Sequence, residues 1–249
     1  MEVIYILWLR QIKRYQRSKA RVIGSLGQPL LFMVAFGFGF GPIYQKAGEG
    51  NYLEFLVPGV IAMTILFSSI FAGLDIIWDR QFGFLKEMLV APVSRLKIMF
   101  GRCLGGATTA VFQGLIVLLL SFILGFRLAN YWLIIPAIVV MLLIAFAFTL
   151  LGTGIASMMK DIQGFQLIVN FLVMPLVFLS SAFFSLKDLP GIIMLIMKAN
   201  PLSYGVDALR GILIGLNTFG LLYDFTILLS VVIIFLIAAS YFFSKIEAD

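Results

Sequence analysis

Histidine is absent from this 249-residue chain, and cysteine occurs once, as Cys103. The first absence removes the commonest general base and metal ligand. The second excludes an intrachain disulfide and leaves redox compartment unread. Charge is scarce as well. Only 12% of the residues are Asp, Glu, Lys or Arg, where a soluble domain carries about a quarter. A glycine-rich run, Gly37, Gly39 and Gly41, lacks the Lys-Ser or Lys-Thr that a phosphate-binding loop needs for phosphates and magnesium. No internal repeat is visible, which leaves the inverted-repeat design of many secondary transporters without support. The middles of most apolar segments hold no ionisable residue, so a buried proton relay or ion path is equally unsupported. A membrane-embedded lipid enzyme would need an acid–base cluster. The densest one, Asp75, Asp79, Arg80, Lys86 and Glu87, lacks paired carboxylates at metal-ligand spacing. Ser68, Ser69, Ser180 and Ser181 have no neighbouring base and read as helix-packing residues. No metal site, catalytic residue or chain-bound cofactor is expected.

What the chain has in abundance is apolar sequence. Hydrophobic residues make up 62% of it, gathered in blocks. A spanning helix needs about 20 apolar residues, and six segments qualify: 22–43, 57–78, 98–124, 132–158, 165–184 and 222–243. The expected fold class is therefore an all-α integral membrane protein with six transmembrane helices. Pro58 is expected to open the second span, Pro136 falls in the first turns of the fourth, and Pro175 should kink the middle of the fifth. Glycines on the third and fourth spans, Gly101, Gly105, Gly106, Gly152 and Gly154, suit close helix packing.

Topology follows from Lys and Arg. With the N-terminus inside, the inner segments hold 13 of the 18 basic residues and the outer ones Lys46, Arg127, Lys187, Lys198 and Arg210. The positive-inside rule then puts both termini in the cytoplasm and the protein in the cell membrane. Two units are expected, 1–21 and 22–249. In the first, Tyr5, Trp8, Ile12 and Tyr15 share one helical face, opposite Arg10, Lys13, Arg14, Arg17 and Arg21. That segregation predicts an amphipathic helix lying in the membrane interface. The basic flank and the long apolar run behind it, without a small-residue cleavage site, differ from a cleavable signal peptide.

Between the second and third spans runs WDRQFGFLKEMLVAPVSR, residues 78–95. Phe82, Phe84, Leu85, Met88 and Leu89 fall at helical spacing, and Pro92 stops the helix. A short cytoplasmic amphipathic helix with aromatic residues fits either a partner's groove or the lipid surface; the pattern alone leaves both open.

The run FLVPGVIAMTILFSSIFAG, this interruption, and GRCLGGATTAVFQGLIVLLL together resemble the ABC-2 type permeases, and within them the daunorubicin-resistance type of drug exporter. NPLSYGVDALRG, residues 200–211, resembles the segment before the last span of that family. The similarity covers nearly the whole chain; one departure is Gln81, where an acidic residue is usual. The resemblance implies a coupling helix between spans two and three that docks on a separate ATPase, built here from Arg80, Phe82, Gly83, Phe84, Leu85, Lys86, Glu87, Leu89, Pro92 and Arg95. Arg80 and Arg95 would flank it, either one free to pair with acids on the partner. It implies a re-entrant extracellular hairpin that includes 192–197 and carries Asn200, Pro201, Tyr204, Asp207 and Arg210. It implies two ATPase subunits holding ATP and magnesium, a second permease copy as a homodimer, the lipid membrane as surroundings and no nucleic acid. Candidate lining of the substrate path is Met33, Phe36, Phe67, Phe71, Phe171 and Met174, side chains that suit drug-like or lipid-like cargo. A polysaccharide or lipid-linked glycan exporter is the alternative within the same superfamily.

Overall fold

The computed structural model describes residues 2–46, 50–128, 130–184 and 190–246, with the side chains of Ala20 and Arg21 left aside. Met1, Lys187 of the charge count and residues 247–249 of the expected second unit lie outside the described residues. Regular structure among the described residues is entirely helical: α1 (Glu2–Arg17), α2 (Lys19–Lys46), α3 (Tyr52–Phe71), α4 (Leu74–Gln81), α5 (Phe84–Val90), α6 (Arg95–Ile123), α7 (Ile134–Met158), α8 (Ile162–Phe178), α9 (Gly191–Ala199), α10 (Pro201–Ile214) and α11 (Leu221–Ser244), with one 3-10 turn ahead of α7.

Among the described residues, five segments are long and apolar enough to cross a membrane: Val22–Lys46, Tyr52–Gln81, Arg95–Ile123, Tyr131–Met158 and Leu221–Ser244. The sixth expected span is shorter than its apolar run. Helix α8 has 17 residues, about 25 Å at 1.5 Å per residue, against a hydrocarbon core of about 30 Å. Pro175 lies in its last turn rather than its middle, and the helix stops at Phe178. Beyond it Ser181 takes a positive φ of 59°, so the end of the apolar run is a turn, not helix. The second span starts earlier than expected. Asn51 caps it, its side chain accepting from the Leu53 amide, and Pro58 lies within the helix. Capping set this boundary, and a search for uninterrupted apolar residues passes over Tyr52 and Glu54.

The core centres on α3, α6 and α7, with α10 and α11 against them. Small residues set the closest approaches. A Cβ on Gly73 would collide with the backbone of Gly152, and one on Gly152 with that of Ile70. The α3–α4 break is thereby pinned to α7. Gly106 lies against Ala72 and Thr149.

Helix α1 packs on α6 across Gly101 and Gly105, one turn apart, beneath Ile4, Leu7, Trp8 and Gln11. Trp8 Nε1 donates to Thr108 Oγ1 at 3.0 Å, and Tyr15 meets Phe112 edge-on at 6.3 Å. Two members of the expected lipid-facing stripe, Trp8 and Tyr15, thus face protein, and Tyr5 stays exposed. Gly105→Leu is expected to pry α1 from α6, since even a Cβ there comes within 2.5 Å of Gln11 Cβ. Overpacking of this kind costs about 1–3 kcal/mol. Thermal unfolding of the purified chain checks this; an unshifted midpoint would contradict the packing.

Candidate partner-docking element and cavity

The charged interruption begins as α4, the continuation of the second span. At 30 residues Tyr52–Gln81 measures about 45 Å as a helix, longer than the hydrocarbon core of about 30 Å. Gly83, at φ 80°, turns the chain into α5; the left-handed region favours glycine because it lacks a Cβ. Ala91 is extended, as expected of a residue preceding proline, and α6 starts at Arg95.

Helix α5 has an inner and an outer side. Leu85 is 2% exposed and Leu89 packs half-buried on the core. Both were expected on the docking face; their i, i+4 spacing instead makes the stripe that fastens α5 to the bundle. Phe82 (71% exposed), Phe84 (51%) and Val90 (80%) face outward, with Lys86 and Glu87 also exposed. Phe82 sits in the turn rather than in the helix.

The flanking arginines are engaged within the chain. Arg80 donates to the carbonyls of Met159 and Ser157 at 2.8 and 3.3 Å. Arg95 donates to Ile246 O at 2.8 Å and to Ser244 O. These are last-turn carbonyls of α7 and α11 and their followers, groups that have no partner inside their own helices, and a cation is favourable there. Arg95 is engaged through Nη1 alone and Arg80 through both Nη atoms, roles inside the chain that the sequence did not suggest.

Behind α5, acids on α4 hold the basic side of α1. Asp79 is buried and accepts from Arg10 at 3.1 and 3.3 Å. Buried Arg102 of α6 pairs with the same carboxylate. Asp75 pairs with Arg14 at 3.2 Å, and Arg14 lies 5.4 Å above the Trp78 ring. Arg10 also stands over Phe84, 5.7 Å from its centroid. The basic face of α1 is thus not wholly turned outward: Arg10 and Arg14 point into the protein, while Lys13 and Arg17 are exposed. A signal was present in the sequence. Arg10/Arg14 and Asp75/Asp79 have the same four-residue spacing, which places each pair on one helix face.

Between α1, α2, α3, α4 and α6 lies a cavity of about 380 Å³. Phe67 and Phe71 form an aromatic wall with Met63; Arg14, Asp75, Trp78 and Gln11 border it, as do Ser25, Gln28, Thr109 and Gln113. Gln113 Nε2 donates to Ser25 Oγ and ties α6 to α2. Of the six candidate path residues, only Phe67 and Phe71 line this cavity. Met33 is fully buried. Phe36 stacks on Phe32 and Phe40, 5.3 and 5.6 Å between centroids. Phe171 (84% exposed) and Met174 lie on the outer face of α8.

At the other end of the molecule, α9 and α10 follow one another with Asn200 alone between them. Asn200 caps α10 through the Leu202 amide and donates to the carbonyls of Leu176 and Leu179 at 2.7 and 2.8 Å. It thereby closes the end of α8, and Pro201 occupies the first turn of α10. Tyr204 donates to Lys198 O at 2.6 Å. Asp207 accepts from the amides of Thr218 and Phe219. Arg210 donates to Phe55 O and Ser181 O and lies 3.7 Å over the Phe55 ring. All these side chains take up backbone groups of neighbouring turns, so the motif is a fastening of the fold.

A multi-span helical membrane protein with a short helix between two of its spans, one side packed on the bundle and the other exposed, is the class that emerges. The chain belongs to the ABC-2 type transporter family, whose profile matches residues 2–214. Permeases of this kind work with ATP-binding cassette ATPase partners. The chain is 28% identical over 217 residues to the transport permease ycf38 of Cyanophora paradoxa, covering 84% of this chain and 73% of that one. It is 27% identical over 213 residues to the doxorubicin resistance permease DrrC of Mycobacterium tuberculosis (83% and 75% covered). A third relative is the daunorubicin resistance permease DrrB1 of Streptomyces coeruleorubidus, 27% identical over 214 residues (84% and 74% covered).

Proposed function

We propose that this chain is the transmembrane subunit of an ATP-driven exporter and that α5 is where a separate ATPase grips it. The observation that carries this reading is the two-sided build of α5. Leu85 is buried and Leu89 packed against the core, while Phe84 and Glu87 are exposed, and the arginines on either side cap neighbouring helices. A surface that is rigidly mounted and still exposes aromatic side chains suits a partner's groove. Two ATPases hold the ATP and magnesium, and nucleotide-driven closure pushes α5. The push passes through Asp75 and Asp79 to α1 and along α4 into α3.

In this reading the termini are cytoplasmic and the protein sits in the cell membrane. Helix α8 serves as a sixth, short span, and α9–α10 form the re-entrant hairpin. A second copy pairs with the first through the outer faces of α2 and α8, where Leu31, Val34, Phe38, Leu167, Phe171 and Met174 are exposed. The cargo is a hydrophobic or amphipathic molecule of drug-like or lipid-like kind, a reading supported by the aromatic cavity wall and by relatives named for doxorubicin and daunorubicin resistance. Purified alone, the chain is expected to hydrolyse no ATP, and adding its ATPase should restore turnover; ATP turnover by the isolated polypeptide would contradict the assignment.

A further inference from the structure

The cavity beside α1 has two chemically distinct ends. Phe67 and Phe71 stack with centroids 6.4 Å apart and planes 6° from parallel, and Met63 lies alongside. At the other end the Arg14–Asp75 pair meets Trp78, whose Nε1 is buried with no acceptor among the described residues. A buried donor left without an acceptor is costly, and a void with polar lining does not stay dry. The volume, about 380 Å³, lies within the range of pockets for drug-sized ligands. Among the described side chains along it, Arg14 and Asp75 carry charge, and they pair with each other at 3.2 Å, which leaves no net charge among them to favour a head of one sign.

We propose that this cavity binds one flat or single-tailed amphiphile. Its uncharged or zwitterionic head offers acceptor oxygens to Trp78 Nε1 and Arg14, and its apolar body lies against Phe67 and Phe71. The proposal rests on the exporter reading and deepens it. Cargo is first recognised inside one subunit, against α1, rather than only between two copies. Because α1 forms one wall and Arg14 holds it to Asp75, a shift of α4 driven through α5 alters the polar end of the site.

Native mass spectrometry of the full chain titrated with lysophosphatidylcholine, a zwitterionic single-tailed probe, tests this. One saturable adduct per chain is expected. Ser68→Phe, which fills the cavity, should weaken it about tenfold or more, and Trp78→Phe, which removes the N–H together with part of the ring, by several-fold. Ile123→Ala, 81% exposed at the end of α6 and away from the cavity, should leave it unchanged. Equal adducts in wild type and Ser68→Phe, or adducts that accumulate without saturating, would overturn the site. Should Ser68→Phe fail to fold, Trp78→Phe decides, and unchanged affinity there overturns it. Glu87→Lys should bind the probe normally. If Glu87→Lys also keeps its ATPase while Ser68→Phe loses the probe, the cavity stands and the docking reading falls.

Discussion

Phe84→Asp or Glu87→Lys should abolish recovery of an ATPase with this chain while leaving the permease folded. Both side chains are exposed on α5, and neither contributes to the buried stripe of Leu85. Aromatic anchors at the centre of an interface are worth about 2–4 kcal/mol each, so association should weaken about 30- to 1000-fold. Glu87→Lys is the cleaner change, because Arg10 stands 5.7 Å over the Phe84 ring and would pair with an introduced aspartate. Leu85→Asp should also release the ATPase, but through loss of the mounting and with a lowered unfolding midpoint. Pull-down together with thermal unfolding separates these cases. Undiminished complex and transport in Glu87→Lys and Phe84→Asp would remove α5 as the docking site.

The second large effect is expected at Asp79. This carboxylate answers two arginines, and Arg102 is as buried as Asp79 is. Asp79→Ala leaves the Arg102 charge in the interior without its partner, a loss that typically costs about 3–5 kcal/mol. Arg10→Ala should cost about 1 kcal/mol or less, because the Arg10 side chain is 38% exposed and exposed pairs contribute little. Replacing both buried members, Asp79→Leu with Arg102→Met, should recover much of the stability, since the unpaired charge goes as well. Thermal midpoints of the four proteins check the order. A wild-type midpoint for Asp79→Ala would mean that Arg102 is solvated or held elsewhere.

Much of this arrangement could be read from local pattern. Blocks of apolar residues located the long helices, and the glycines of α6 and α7 signalled close approach. Helical spacing found α5 but could not say which of its sides faces in: Leu85 and Leu89 look like a docking stripe until the bundle supplies their partners. The extent of α8 was hidden for a different reason. The apolar run continues past Phe178, and the helix ends there because Asn200, far along the chain, takes the carbonyls of Leu176 and Leu179. The roles of Arg80 and Arg95 likewise depend on the helix ends of α7 and α11, which tertiary packing brings near. The ion pairs between α1 and α4 were legible in principle from matched four-residue spacings, but nothing in the sequence placed the two helices side by side.

The central claim, that force enters through α5 from a separate ATPase, is most directly tested by cross-linking from Glu87→Cys. Cys103, the chain's one native cysteine, is buried, so the introduced thiol is the accessible one. With a short thiol-to-amine cross-linker in membranes holding the intact complex, position 87 should join to the ATPase, with a yield that changes when ATP is bound. Leu222→Cys, 84% exposed at the far end of α11, should not. Failure of position 87 to reach the ATPase in an actively transporting complex would contradict the account.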